Sequence, residues 1–297
     1  MRLLIIGSKG FIGSHAYDYF SASPAYESWA CDVVVDYTND HYFLIDSSNS
    51  DFNEVFESNP FDICINCSGA ASVPDSLVHP LRDFTLNVFV VSKILEAVRR
   101  HAPSCRFINL SSAAVYGNPS VLPVNTKSMS EPLSPYGWHK LYSEQICKEY
   151  HTLFGLQTLS LRIFSAYGPG LKKQLFWDWY QKTKQSDTVS IYGTGNESRD
   201  FIHITDLIEV MDLAIQHADF NGSVINVANG TEIFIKDVAA LYLGFLNSEY
   251  TFTGEIKKGD PLNWLADISV IQEWGYTNKV TLAEGLKGYI EWVKESG

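Results

Sequence analysis

The sequence predicts an α/β fold, a doubly wound parallel sheet with a smaller C-terminal lobe. Three observations predict it. Short apolar runs alternate with helical patterns through the first half of the chain. A glycine triplet joins the first of those runs to the first helix. Beyond about Gly168 the pattern changes: Gly and Pro cluster, Phe176, Trp177, Trp179 and Tyr180 concentrate aromatic surface, and strand-like runs shorten.

Taken in order, residues 3–6 form a wholly apolar run that suits a strand buried on both faces, and residues 11–20 have helical spacing. The β-branched run at residues 32–35 predicts a second strand, and residues 43–45 a third. A short helix at residues 52–57 precedes a fourth strand at residues 63–66. A long amphipathic helix over residues 83–101 leads to a fifth strand at residues 107–110. Another long helix spans residues 135–154, with Ser134 as its N-cap and Pro135 in the first helical position, and a sixth strand follows at residues 158–163. Residues 224–227 again read as a sheet strand.

Bulk properties limit the partners. The 297 residues are 45% apolar and 19% charged, enough to bury a large core. The net charge of −12 repels phosphate backbones and anionic lipid, so neither nucleic acid nor membrane is expected as a partner. The apolar start is a core strand, too short for a signal peptide or a membrane span. Of the five cysteines, Cys64 and Cys67 form a C-x-x-C inside an apolar run with no second ligand pair, so buried reduced thiols are expected rather than a metal site. A reducing cytoplasm fits that usage.

Gly7, Gly10 and Gly13 stand at G-x-x-G-x-x-G spacing, with Phe11 and Ile12 completing the turn. Gly7 permits the tight turn, Gly10 lets the backbone approach a pyrophosphate, and Gly13 allows the helix to pack on the sheet. The helix start then presents unpaired N–H groups and a partial positive charge to phosphate. Asp36, expected to end the second strand 23 residues after Gly13, is placed to accept hydrogen bonds from ribose hydroxyls and to repel a 2′-phosphate, which favours NAD over NADP. Lys9 in the loop pulls the other way, toward a 2′-phosphate. Residues 1–166 are therefore assigned to a dinucleotide-binding Rossmann-type domain, and residues 167–297 mainly to a substrate-binding lobe, with a segment near 224–230 returning to the first domain.

Tyr136 and Lys140 are four residues apart and share a helix face. A phenol serving as a base near neutral pH must become about a thousandfold more acidic, roughly 4 kcal/mol. A nearby ammonium and a positive nicotinamide ring supply a shift of that order in a dry site. Such a phenol takes the proton of a sugar hydroxyl while the carbon gives up hydride.

These residues resemble the extended short-chain dehydrogenase/reductase family, in particular NAD-dependent nucleotide-sugar epimerases such as UDP-glucose 4-epimerase. The resemblance covers nearly the whole chain and rests on the glycine loop, CSGAASV (67–73), LSSAAVYG (110–117), SPYGWHK (134–140), LRIFSAYGPG (161–170), SRDFIHITDL (198–207) and GDPLNWLAD (259–267). It implies a catalytic Ser112 that hydrogen-bonds the reacting hydroxyl, Tyr136 as base and then acid, and Lys140 holding the nicotinamide ribose and lowering the pKa of Tyr136. It places Ser68, Gly69 and Asn87 beside the cofactor and Asp46 near adenine. Arg199 falls where the substrate diphosphate is paired, and Lys257 where relatives carry an arginine for the same group. Lys172 and Lys173 add charge at the start of the following helix, unless they, like Lys257, lie solvated at the surface. Ser165 stands where an Asn is common, leaving one sugar or phosphate contact open. His139 replaces a common Ser and reads as an outward helix residue.

Ala113 and Ala114 precede Val115-Tyr116-Gly117, where 4,6-dehydratases and decarboxylases carry acids, so elimination lacks a proton donor. Gly170, Leu171 and Lys172 follow the Tyr-Gly-Pro segment, where the 3,5-epimerase/reductases place a histidine. The remaining readings are epimerisation of a nucleotide-diphosphate sugar at C4 through a transient keto sugar, or reduction of a 4-keto nucleotide sugar by exchangeable NADPH. A third, of another class, is a non-catalytic dinucleotide-sensing regulator, against which the presence of both Tyr136 and Lys140 argues. By resemblance, the two long helices imply a homodimer through a four-helix bundle. Phe176, Trp177, Trp179 and Trp264 read by default as core of the small lobe.

Overall fold

In the computed structural model, which describes residues 1–296, the first apolar run forms β1 (Arg2–Ile6). Leu3 and Ile5 pack into one apolar cluster and Leu4 and Ile6 into another, so the strand is sandwiched between two helical layers. Each such side chain, fully buried, stabilises the fold by about 1.5–3 kcal/mol before entropy. The strand runs into helix α1 (Phe11–Ala22), then β2 (Glu27–Asp32), β3 (Tyr42–Leu44), the short α2 (Asn53–Ser58) and β4 (Ile63–Asn66). Two short helices, α3 (Val73–Val78) and α4 (Pro80–Phe84), a π-helical turn (Thr85–Phe89) and α5 (Val90–His101) lead to β5 (Arg106–Ser112). The long α6 (Pro135–Phe154) and β6 (Thr158–Ile163) follow.

The later elements are β7 (Ser165–Tyr167), α7 (Gln174–Thr183), β8 (Thr188–Ile191), β9 (Ser198–His203), α8 (Ile204–His217), β10 (Asn221–Val227), β11 (Glu232–Phe234), α9 (Ile235–Phe245), β12 (Glu249–Phe252), α10 (Ser269–Glu273) and α11 (Leu282–Ser296). The main sheet has seven parallel strands in the order β10-β6-β5-β4-β1-β2-β3. The order reverses between β1 and β4. In open parallel sheets a crevice opens at such a switch, beyond the carboxyl ends of the strands. The glycine loop leaves β1 there. A third apolar cluster, rich in aromatic rings, gathers Phe176, Trp179, Phe201, Tyr242 and Tyr289 from α7, β9, α9 and α11. Phe176 and Trp179 are thus core, Trp177 is partly buried against them, and Trp264 packs on Phe164 while its indole N–H donates to the Gly117 carbonyl at 3.0 Å.

Two elements differ from the sequence reading. The second strand ends at Asp32, where it was expected to begin, and Val33, Val34 and Val35 are about half exposed. Packing decides this over β-propensity. Ala30 and Cys31 enter the core, Trp29 stacks on His41, and the Asp32 carboxylate turns the chain by accepting the N–H groups of Val33 and Val34. The helix expected over residues 83–101 starts earlier, at Pro80, and is interrupted by the π turn, whose extra residue rotates the face it presents.

Candidate active site

The glycine loop is tight at both ends. Gly7 adopts φ +81°, and a Cβ there would lie 2.6 Å from the backbone nitrogen of Ser68. A Cβ on Gly13 would drive into the Gly7 carbonyl oxygen. The Gly10 N–H donates to that same carbonyl at 3.1 Å and closes the turn. Neither a capping side chain nor an acidic residue occupies the first turn of α1, so its N–H groups and partial positive charge are open to an anion. Phe11 and Ile12 begin α1 and pack partly against the core.

Asp32 ends β2 beside this loop and accepts the Lys9 N–H at 2.8 Å. It stands 19 residues after Gly13, closer than Asp36 to the spacing of about 20 typical of a ribose-binding acid. Asp36 lies beyond the strand, and its carboxylate is tied to the Lys9 ammonium at 2.5 Å and to Thr38. Those contacts hold its carboxyl well below the usual range. The expectation that Asp36 ends the second strand is therefore corrected: that position belongs to Asp32. Asp46 follows β3, accepts hydrogen bonds from Ser48 at 2.7 Å, and lines a cavity of about 190 Å³ with Phe43, Ile45 and Val55.

Behind Gly7, the Ser68 hydroxyl donates to Asn66 at 2.5 Å, and Gly69 takes φ +118°. A Cβ on Gly69 would sit 2.5 Å from Asn87 Oδ1. That oxygen is buried and has no hydrogen-bond partner among the described residues. An orphaned buried acceptor costs about 1–3 kcal/mol. This acceptor, the clear helix start and the Cβ-free loop together form a cradle suited to a dinucleotide.

Ser134 and Gly155 bound α6. The Ser134 hydroxyl accepts the Gly137 N–H at 3.2 Å, and Gly155 ends the helix in the left-handed region. Glu144 fixes the helix against the sheet, because its carboxylate takes both Nε and Nη2 of buried Arg162 on β6, at 2.9 and 2.7 Å, and also the Ser111 hydroxyl. This clamp was not read from the sequence. Its signal was an acid one turn beyond Lys140 on the buried face.

The clamped face brings Ser112, Tyr136 and Lys140 together. Ser112 ends β5 and accepts the Ala114 N–H at 3.2 Å. The Lys140 ammonium is buried and donates to the Leu110 carbonyl at 2.9 Å, with its nitrogen 5.9 Å from the centroid of the Tyr136 ring. Burial pulls Lys140 down to about 8, opposed by Asp83, Cys67 and Glu144. Burial pushes the Tyr136 phenol up to about 12, opposed by hydrogen bonding with Ser112 and reinforced by Asp83. The expectation that Lys140 lowers the phenol is thus not met by the chain alone: burial raises it, and the ammonium is directed at a carbonyl.

His139 is a second correction. It is buried, not outward, and its Nδ1 lies 2.6 Å from Oδ1 of buried Asp83. Asn87 Nδ2 donates to that same oxygen at 3.1 Å.

Arg199 extends from β9 over the Trp264 ring, 5.5 Å from its centroid, and donates to the Ser198 and Leu262 carbonyls at 2.8 and 3.2 Å. Burial lowers its pKa, against Asp260 and Glu197. Lys257 lies 4.5 Å from the Tyr192 ring centroid, and its charge, like that of Arg199, acts on Asp260. Ser165 begins β7 and pairs in register with Phe201. Lys172 is spent elsewhere: it donates to the Ser296 carbonyl at 2.7 Å. A narrow cleft of about 20 Å³, lined by Ala114, Gly117, Ser134, Gly259 and Trp264 among others, lies between the start of α6 and the 259–264 segment. Among the described residues, no cluster of His, Cys, Asp and Glu is placed to hold a metal, the cysteines are free, and no helix is long and apolar enough to cross a membrane.

Residues 3–228 match the NAD dependent epimerase/dehydratase family model. A Methanocaldococcus jannaschii protein named putative UDP-glucose 4-epimerase is 25% identical over 309 aligned residues, covering 99% of each chain. The crystal structure of Bacillus cereus UDP-glucuronic acid 4-epimerase, in complex with UDP-glucuronic acid and NAD, is 26% identical and superposes with a TM-score of 0.90 over all of both chains. A UDP-N-acetylglucosamine 4-epimerase from Methanobrevibacter ruminantium, in complex with UDP-N-acetylmuramic acid, is 25% identical, with a TM-score of 0.88 over 100% of this chain and 99% of that one.

Proposed function

The chain belongs to the NAD dependent epimerase/dehydratase family, and from that premise we propose that it epimerises a nucleotide-diphosphate sugar at C4. The observation that carries this reading is the convergence of Ser112, Tyr136 and Lys140 at the end of β5. UDP-sugar 4-epimerases of the same length and fold support the substrate class and the carbon.

In this reading the Gly7–Gly13 loop and the start of α1 hold the pyrophosphate, Asp32 holds the adenosine ribose, and Asp46 lies toward the adenine. Ser68, Gly69 and Asn87 line the inner wall, and Lys140 holds the second ribose. Bound NAD supplies a hydride acceptor at the sugar carbon and a positive ring charge that favours the phenolate. Tyr136 takes the C4 hydroxyl proton and later returns it, while Ser112 hydrogen-bonds the same oxygen. Arg199 and Lys257 draw the diphosphate to the small-lobe side of the cleft, where a guanidinium fork suits phosphate oxygens, and Ser165 reaches the sugar end.

The chain acts as a homodimer in this proposal. Phe84, Phe89, Trp138, Tyr142, Leu153 and Phe154 expose apolar surface on the Pro80–His101 helical run and on α6, which a second copy would cover. Its free cysteines suit the cytoplasm.

Denaturing the purified protein and identifying what it releases tests the reading. Stoichiometric NAD⁺, together with interconversion of a UDP-sugar and its C4 epimer, supports it. A protein that releases nothing and prefers added NADPH is a 4-keto sugar reductase instead.

A further inference from the structure

Asn87 sits in the π turn that follows α4 and is 1% exposed. Its amide nitrogen donates to Asp83 Oδ1 at 3.1 Å. An asparagine amide has a donating end and an accepting end, and a half-turn of the side chain exchanges them. With the nitrogen engaged by Asp83, the oxygen faces the other way, toward Gly69. A Cβ on Gly69 would lie 2.5 Å from Asn87 Oδ1. The preceding residue, Ser68, has its backbone nitrogen 2.6 Å from where a Cβ on Gly7 of the phosphate loop would stand.

Asn87 Oδ1 is therefore buried at the wall of the dinucleotide cradle, with no hydrogen-bond partner among the described residues. Buried acceptors in folded proteins nearly always find a donor, and an unmet one is destabilising. A dinucleotide carries such donors in its ribose hydroxyls, its adenine amine and its carboxamide.

Asp83 is held in turn. Its Oδ1 lies 2.6 Å from His139 Nδ1 on α6, and its side chain is fully covered. The Phe84 ring meets the imidazole edge-on, with centroids 5.4 Å apart. Arg82, adjacent in sequence, turns outward to Asp75 at 3.0 Å. The contacts thus run in series from His139 through Asp83 to Asn87, and they tie α6 to the π turn.

We propose that Asp83 and His139 are positioning residues for the dinucleotide: they engage the Asn87 amide nitrogen within the chain and so present its oxygen, as an acceptor, to a hydrogen-bond donor of bound NAD. This rests on the reading that Asn87 lines the cofactor site. It does not rest on epimerisation, and it is tested on binding alone.

NAD is titrated calorimetrically into protein stripped of dinucleotide, as wild type, Asn87→Ala, Asp83→Ala and the double variant, each checked for folding by thermal denaturation. Asn87→Ala weakens NAD binding about tenfold, the effect of one lost buried hydrogen bond. Asp83→Ala frees the amide to turn and weakens binding by a similar factor, but by no more than about twofold once Asn87 is gone. General damage to the fold would weaken binding in both backgrounds. His139→Ala follows the same pattern at about threefold, and it decides alone if Asp83→Ala does not fold. Unchanged affinity in any of the single variants, or losses of equal size with and without Asn87, overturns the proposal. NAD binding that shows the stated dependence on Asn87, in a protein that turns over no sugar, supports the proposal while the functional reading fails.

Discussion

Lys140 donates its ammonium hydrogen bond to the carbonyl of Leu110, 2.9 Å away, and not to the hydroxyl of Tyr136 one helical turn earlier. The two side chains share a helix face and a buried wall, but the lysine is anchored to β5. Its ammonium is anchored in place, and burial holds the neighbouring phenol above the ordinary tyrosine range.

Tyr136→Phe should remove turnover by a factor of about 10²–10⁴ or more, the usual worth of a positioned acid–base group. Affinity for NAD should change by no more than a few-fold, because the glycine loop and Lys140 are untouched. Steady-state kinetics and calorimetric titration read the two effects separately.

Lys140 should titrate near 8 in protein stripped of dinucleotide, far below the ordinary lysine value, because burial disfavours its charged form. NMR of ¹³C-dimethylated lysines, assigned with Lys140→Met, reads this directly. The linkage to stability has a definite sign. Between about 8 and the unfolded value of 10.5 the unfolded chain binds the extra proton, so this group's contribution to stability rises with pH. Urea denaturation across that window should show a slope that Lys140→Met removes.

Asp32→Asn should weaken NAD binding about tenfold, the cost of a lost charged hydrogen bond to ribose. Asp36→Asn should leave NAD affinity nearly unchanged but free the Lys9 ammonium, now held at 2.5 Å, to meet a 2′-phosphate. The preference for NAD over NADP should then fall by about tenfold. Calorimetry with both dinucleotides checks the pair. Loss of NAD binding in Asp36→Asn with none in Asp32→Asn would reverse the assignment.

Gly13→Ala should lower stability by about 1–3 kcal/mol and abolish dinucleotide binding, because the new methyl meets the Gly7 carbonyl where α1 crosses the loop. Thermal denaturation with and without NAD measures both consequences.

Much of this was legible in the sequence. Glycine spacing, the Ser134 cap and the turn between Tyr136 and Lys140 are local features, written in nearby residues and set by backbone sterics. What escaped depends on contacts between distant segments. Val33, Val34 and Val35 look like a strand, yet the sheet takes Glu27–Asp32 because Trp29 and Cys31 find partners there. That shift puts Asp32, and not Asp36, at the end of the strand. His139 reads as outward until Asp83, 56 positions earlier in the chain, arrives on α4 to meet it. The π turn that carries Asn87 has no mark in its own residues.

The most direct test of C4 chemistry at Tyr136 is the fate of hydrogen at the sugar carbon. NAD-loaded protein is incubated in ordinary water with a UDP-sugar deuterated at C4, and the epimer is analysed by mass spectrometry and NMR. Full retention of deuterium at C4, lost as product formation is lost in Tyr136→Phe, is the predicted result. Solvent hydrogen at C4 of the epimer, or unchanged epimerisation without the phenol, would contradict it.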